Sequence, residues 1–233
     1  MSIERGLRVR EVVAEGPRAV IVRLDLGGQS FEYRAGQAAR LGRPSEPTRV
    51  PYSIACAPGR ARATGTLEFL LRTDAHGRVG DHLDPLEPGE MLMASGPFGR
   101  FTLPVPLIAP ALLFVAGGVG IAPLRAMIED VLARTASPPV MLVHSARSAE
   151  DFAYGAEFDA EVKAGRLRLA RTVTRAPGPA TLPRGRITRD LLEGVGVRAG
   201  TLCFVCGPDA LVGHASRLLA ELGIPEEQIR YET

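Results

Sequence analysis

A proline-rich stretch, Leu103 to Pro110, separates two hydrophobic patterns that no single regular architecture accommodates. From Leu7 to Leu103, short segments alternate apolar and polar residues between turn-rich breaks, as in Leu7 to Val13, Ala19 to Leu24, Leu67 to Arg72 and Glu90 to Ala94. Period two with Gly and Pro between the segments predicts antiparallel strands in a barrel or sandwich. Helical period is expected there only around Gly80 to Leu83. Beyond the stretch, continuous apolar runs alternate with helical segments: Ala111 to Ala116 then Leu124 to Arg134, and Val140 to His144 then Ala149 to Ala164. Leu167 to Val173 then Arg189 to Leu192, and Leu202 to Val205 then Ala210 to Leu222, repeat the unit. Apolar strands alternating with helices imply a parallel sheet covered on both faces. The chain therefore reads as β + α/β, residues 1–106 and 107–233, joined by a stiff proline connector, with Arg175 to Gly185 a further loop.

At 233 residues the chain has room for two such domains. A net charge of +2 provides no basic face for nucleic acid. The longest apolar run, Leu107 to Ala116, is too short to span a membrane, and the N-terminus lacks a signal-peptide core, so a cytoplasmic location is expected. Cys56, Cys203 and Cys206 are too few for a disulfide framework and fit a reducing compartment. Cys203 and Cys206, three apart on a strand, should face opposite sides of the sheet, which argues against a shared metal or disulfide. With no four-cysteine cluster, no iron–sulfur centre is expected on this chain. His76, His82, His144 and His214 share no metal-like spacing, and solvated or capping roles are expected of them.

The segment Leu112 to Arg125 runs from a buried strand through Gly117-Gly118-Val119-Gly120 into a helix with Pro123 in its first turn. Glycines there let the backbone approach a pyrophosphate, whose charge free N–H groups and the helix dipole would hold. A plain tight turn between strand and helix satisfies the same pattern.

Several motifs, in order, resemble the ferredoxin–NADP reductase superfamily, in its two-domain form without an iron–sulfur domain. They are Arg49-Val50-Pro51-Tyr52-Ser53-Ile54-Ala55, Gly96-Pro97-Phe98-Gly99-Arg100-Phe101, Gly117 to Pro123, Cys206-Gly207-Pro208-Asp209 and the ending Tyr231-Glu232-Thr233. The resemblance implies an N-terminal antiparallel Greek-key β-barrel holding a flavin, FAD rather than FMN, and an α/β parallel-sheet domain holding NADPH or NADH. It places Gly96 to Phe101 on the strand pair that closes the barrel. Tyr52 and Ser53 would lie against the flavin ring, with the Ser53 hydroxyl near the reactive N5 and Ile54 alongside. The phosphate-binding arginine of relatives stands two residues before the tyrosine, where this chain has Val50; Arg49 would need a local bulge to take its place. Leu70, Leu71 and Arg72, followed by Gly77, Arg78, Val79 and Gly80, resemble the segment holding the flavin pyrophosphate at a short helix N-terminus. Gly80 stands where relatives often carry Ser or Thr. Arg72 and Arg78 are also compatible with solvated loop positions.

On the nicotinamide side the resemblance implies contacts from Gly118, Val119, Gly120, Ala122 and Pro123, and from Cys206, Gly207, Pro208 and Asp209. Cys206 would leave room for the nicotinamide and Glu232 would orient it, making Ser53, Cys206 and Glu232 the catalytic candidates. Ser145, Arg147, Thr174, Arg175 and Arg186 resemble the 2′-phosphate environment of NADPH-using members, although Arg147 and Arg186 also occur in NADH-using ones. The expected reaction is hydride transfer from NAD(P)H, NADPH favoured, to the flavin, then one-electron transfer to a ferredoxin, a flavodoxin or an oxygenase component. Two other readings remain: a free-flavin or ferric reductase, and an electron-relay subunit whose nicotinamide site is idle.

Overall fold

Period-two segments bury one side of a six-stranded antiparallel sheet. Its strands are β1 (Ile3–Ala14), β2 (Ala19–Asp25), β3 (Ala38–Gly42), β4 (Val50–Ser53), β5 (Thr66–Arg72) and β6 (Met91–Phe98), ordered β4-β3-β6-β1-β2-β5. A bridge between Ile54 and Phe69 joins the two edges and nearly closes the barrel, around a core that includes Leu7, Val22, Leu41, Ile54 and Phe69. Closure thus occurs between the end of β4 and β5. Gly96 to Phe98 belong instead to β6, in the middle of the sheet between β3 and β1. The computed structural model describes residues 3–74, 76–80, 82–175 and 182–233.

The barrel also contains a helix that the sequence pattern hides, α1 (Pro58–Thr64). Seven residues with only Ala61 buried show no period. Its punctuation is nonetheless in the sequence: Pro58 opens it, and Gly65 ends it with φ 69°, where a side chain would be strained. The expected helix near Gly80 to Leu83 is a single turn, in which the Leu83 and Asp84 amides donate to the Gly80 carbonyl.

The second part builds a five-stranded parallel sheet from β7 (Leu112–Gly117), β8 (Val140–Ala146), β9 (Leu167–Val173), β10 (Leu202–Cys206) and β11 (Ile229–Glu232), ordered β11-β10-β7-β8-β9. The intervening helices are α2 (Ile121–Leu132), α3 (Gly155–Lys163), α4 (Arg189–Gly194) and α5 (Asp209–Glu221). One face of the sheet packs Leu113, Val143, Cys203 and Val205 with Leu192 of α4 and Leu219 of α5. On the other, Phe114 and Phe204 stack at 5.5 Å. Several element ends differ from expectation; α2, for example, begins at Ile121 and not at Leu124. The helix expected from Ala149 begins as a 3-10 turn, Ala149–Asp151, capped by Ser148 and Asp151, and α3 starts only after Tyr154, which has φ 59°. β11 was not expected as a strand, because four residues are too few to show a period.

Contacts divide the chain into two compact units. One takes in the chain up to Leu103 together with Arg125–Asp130, and the other takes in Pro104–Leu124 and Val131–Thr233. Among the described residues, no helix is long and apolar enough to cross a membrane.

Candidate active site

In the barrel unit, β4 pairs with β3 without a register shift, setting Tyr52 opposite Ala39 and Ser53 opposite Ala38. Both Tyr52 and Ser53 are half-buried. The Tyr52 hydroxyl lies 2.8 Å from Nε2 of His82, the two rings are nearly parallel at 6.0 Å, and burial pushes the phenol up to about 12. His82 is therefore a partner of Tyr52 and not a solvated loop residue. Its ring also lies where a Cβ on Gly80 would come, at 3.2 Å, and Gly80 has φ +100°, so the Ser or Thr of relatives would be strained here.

Ile54, Leu71 and Val79 belong to the barrel core, so only their backbone is available to a ligand, while Leu70 is buried outside that cluster. Arg72 is exposed at the end of β5. The loop after it is organised by Asp74, whose Oδ1 accepts from the amides of His76 (2.8 Å) and Arg78 (2.9 Å), while Oδ2 meets Arg78 Nε at 3.2 Å. These bonds hold the Asp74 carboxyl below the usual carboxylate range. Gly77, at φ +80°, has open space where a Cβ would be, as close backbone approach to a phosphate requires.

Arg49 does other work. No bulge interrupts the β3–β4 pairing, and Nη1 of Arg49 donates to the carbonyls of Arg43 (2.9 Å), Thr48 (3.1 Å) and Glu46. The side chain braces its own loop, which closes over Gly42: a Cβ there would lie 2.2 Å from the Thr48 carbonyl oxygen.

Two residues of α2 that belong to this unit fix the chain just beyond Tyr52 and Ser53. Arg125 Nη1 donates to the Ala55 carbonyl (2.7 Å) and to Glu68 Oε1 (2.8 Å), and Glu129 Oε2 accepts from the Ala57 amide (2.6 Å). Glu68 also binds Arg23 (2.5 Å), which continues to Glu11 (2.6 Å). Arg125 and Glu68 are only 2% and 3% exposed, which makes theirs a buried ion pair. The sequence reading missed Arg125, although its signal was present as a charge between Leu124 and Ile128, within an apolar helical run.

In the second unit the strand order reverses between β7 and β10, and in open α/β sheets ligands bind outside the carboxyl ends of the strands at such a point. Both glycine segments leave from there. Their backbones pack together: a Cβ on Gly120 would lie 2.5 Å from the Cys206 carbonyl oxygen, and one on Gly207 would lie 3.0 Å from Gly117 Cα. Gly118, with φ +55° and open space around it, is the glycine left facing outward. Ala122 and Pro123 are buried in the first turn of α2, and Val119 is half-buried. Pro208 and Asp209 are exposed at the start of α5, where the acid suits the helix dipole.

Cys206 pairs in register with Glu232, and the Gly207 amide donates to the Glu232 carbonyl at 3.4 Å. Burial, with the Glu232 charge adding to it, pushes the Cys206 thiol up to about 12, so it stays neutral; burial raises the Glu232 carboxyl as well. Cys203 lies in the core on the opposite face and is a free thiol, as Cys206 is.

The remaining candidates line the ends of β8 and β9. Ser145 is buried opposite Gly117. The Thr174 amide and hydroxyl both donate to the Ala146 carbonyl (3.0 and 3.1 Å), and the Arg175 amide donates to that of Arg147 (3.0 Å), so the two loops run side by side. Thr172 holds the returning chain through the carbonyls of Pro183 and Gly185, and Val173 bridges Arg184 in parallel. Arg175 and Arg186 are both exposed. Residues 176–181 of the expected loop lie outside the described residues. Solvated or capping roles were expected of His144 and His214, and the structure sets both rings against main-chain carbonyls. His144 is fully buried, and His214 Nε2 lies 2.8 Å from the Ile187 carbonyl oxygen.

Two family models match the chain: an oxidoreductase FAD-binding domain over residues 6–103 and an oxidoreductase NAD-binding domain over residues 114–217. The chain is 34% identical over 217 residues to ferredoxin–NADP reductase B of Sorangium cellulosum, covering 88% of this chain and 86% of that one. It is 31% identical over 226 residues to the ferredoxin–NAD(P)+ reductase component of the naphthalene 1,2-dioxygenase system of Pseudomonas putida, covering 94% of this chain and 66% of that one. Among solved structures, the Amycolatopsis cytochrome P450 reductase GcoB superposes with a TM-score of 0.87 at 26% identity, over 100% of this chain and 70% of that one. The half-buried Tyr52-Ser53 pair and the open Gly77 fit a flavin, and the open Gly118 at the strand-order reversal fits a dinucleotide. The chain belongs to the ferredoxin–NADP reductase family and is an FAD- and NAD(P)-binding oxidoreductase.

Proposed function

We propose that the chain takes a hydride from NAD(P)H, NADPH in preference, onto bound FAD and passes the electrons singly to a protein acceptor: a ferredoxin, a flavodoxin or an oxygenase component. The observation that carries this reading is the pair of glycine segments at the strand-order reversal, beside which the neutral Cys206 and the partly buried Glu232 stand in register. The names of relatives support the acceptor class, since one is a ferredoxin–NADP reductase and another a dioxygenase reductase component.

The division of labour among the residues follows from their chemistry. Tyr52 offers an aromatic face fixed by His82, and Ser53 offers a hydroxyl donor. Gly77 and Gly80 present backbone to the flavin phosphates, with Arg78 held near by Asp74, while Leu70, Leu71 and Arg72 complete that wall. Gly118, Val119 and Gly120 offer amides to the coenzyme pyrophosphate. Cys206 adds a small, uncharged side chain at the nicotinamide end. The domains that do this work are assigned to residues 1–106 and 107–233. Three cysteines without disulfides fit the reducing cytoplasm.

The preference for NADPH rests on the exposed Arg175 and Arg186, taken with Thr174, Ser145 and Arg147. Arg175→Ala should weaken NADPH by about 10- to 150-fold, the loss of a charge-assisted contact of about 1.5–3 kcal/mol, and leave NADH nearly unchanged. Titration of both coenzymes at two ionic strengths checks this, because general electrostatics fade with salt for both. Equal losses for the two coenzymes would assign Arg175 to the pyrophosphate or to loop support.

A further inference from the structure

The glycine-rich turn has a buried partner that neither its motif nor its charge pattern announces. His144 sits in β8 on the face opposite Met141 and Val143, in register with Ala116 of β7 and Arg171 of β9, and is 0% exposed. Its Nε2 lies 3.3 Å from the Gly118 carbonyl oxygen. A carbonyl only accepts, so Nε2 carries the proton and the ring is the Nε2–H tautomer. Among the described residues the buried Nδ1 has no hydrogen-bond partner, a state that favours the neutral ring. The edge of the ring meets Phe152 at 5.1 Å, and the Arg171 guanidinium covers that phenyl ring at 5.4 Å while it is tied to Asp159 (2.7 Å) and the Gly155 carbonyl (3.0 Å). Burial, together with this nearby cation, holds the imidazole down to about 4.

A trans peptide is planar, with its carbonyl and the following N–H on opposite sides. The bond between Gly118 and Val119 is not among the cis peptides. Drawing the Gly118 carbonyl inward to His144 therefore turns the Val119 N–H outward. Gly118 can adopt the required φ of +55° because it lacks a Cβ.

We propose that His144 is a positioning residue of the nucleotide site: by holding the Gly118 carbonyl it aims the Val119 amide at the coenzyme pyrophosphate. This rests on the reading of the turn as the coenzyme site. The Gly118 carbonyl also accepts from the Ile121 amide within the 3-10 turn, and His144 adds a second, buried donor from the end of β8.

The test combines direct titration of NADP+ into the FAD-loaded protein with long-range 15N NMR of the histidine rings. His144→Leu fills the space without a donor and should raise the NADP+ dissociation constant about 5- to 50-fold, with flavin content unchanged. His144→Gln places an amide donor near the Nε2 position and should recover most of that loss. The wild-type ring should show the Nε2–H tautomer, an observation that requires no variant to fold. An Nδ1–H tautomer, an unchanged dissociation constant in His144→Leu, or equal losses of affinity in His144→Leu and His144→Gln would overturn the inference. A wild type with the Nε2–H tautomer but no affinity for NADP+ or NAD+ would overturn the coenzyme reading itself, and this inference with it.

Discussion

Glu68→Ala should cost about 3–5 kcal/mol of stability, because it removes the carboxylate from a guanidinium that stays buried. Arg125 is 2% exposed and keeps its bond to the Ala55 carbonyl but loses its 2.8 Å contact with Glu68 Oε1, while Arg23 retains Glu11. The damage should be local to flavin retention as well: Ala55 lies two residues beyond Ser53, and its amide donates to the Glu68 backbone carbonyl at 2.7 Å. Urea unfolding followed by circular dichroism, with flavin release measured in parallel, checks both effects. A double variant, Arg125→Met with Glu68→Leu, replaces the pair by apolar groups and should recover much of the stability. If Glu68→Ala unfolds at the wild-type midpoint, the ion pair contributes nothing to the fold.

Ser53→Ala should slow reduction of the bound flavin by about 10- to 1,000-fold while FAD content stays constant, the usual consequence of deleting a preorganised donor to developing charge. Ser53 is half-buried, pairs with Ala38 through its backbone and follows Tyr52, whose hydroxyl lies beside His82. Single-turnover measurements separate this effect from coenzyme binding. Ser53→Thr restores a hydroxyl and should regain part of the rate. An unchanged rate in Ser53→Ala would remove Ser53 from the catalytic set.

The parts of the fold legible in the sequence are those written in local periodicity. Alternation marked most of the barrel strands, and the run from Leu112 through the glycines into α2 marked the strand, turn and helix of the coenzyme side. What escaped depends on register between distant segments. His144 looks like an ordinary polar residue at a strand end until β7 places Ala116 beside it and Gly118 above it. His82 acquires its role only because β4 sets Tyr52 within reach. The glycines were legible as a motif but not fully in their cause: a Cβ on Gly120 would meet the Cys206–Gly207 backbone, one on Gly117 would meet the Leu211 and Pro208 side chains, and Gly118 has open space around it. For Arg49 the sequence could state only the condition, a local bulge, and the β3–β4 pairing contains none.

The central claim, that this chain holds a flavin and reduces it with a nicotinamide coenzyme, is tested most directly by the visible absorption spectrum of the purified protein. The protein is supplied with FAD, freed of excess, and treated without oxygen with NADH and NADPH in turn. The account predicts flavin bands in stoichiometric amount that bleach with coenzyme, faster with NADPH. A correctly folded protein that retains no flavin, or one whose bands persist after both coenzymes, would contradict it.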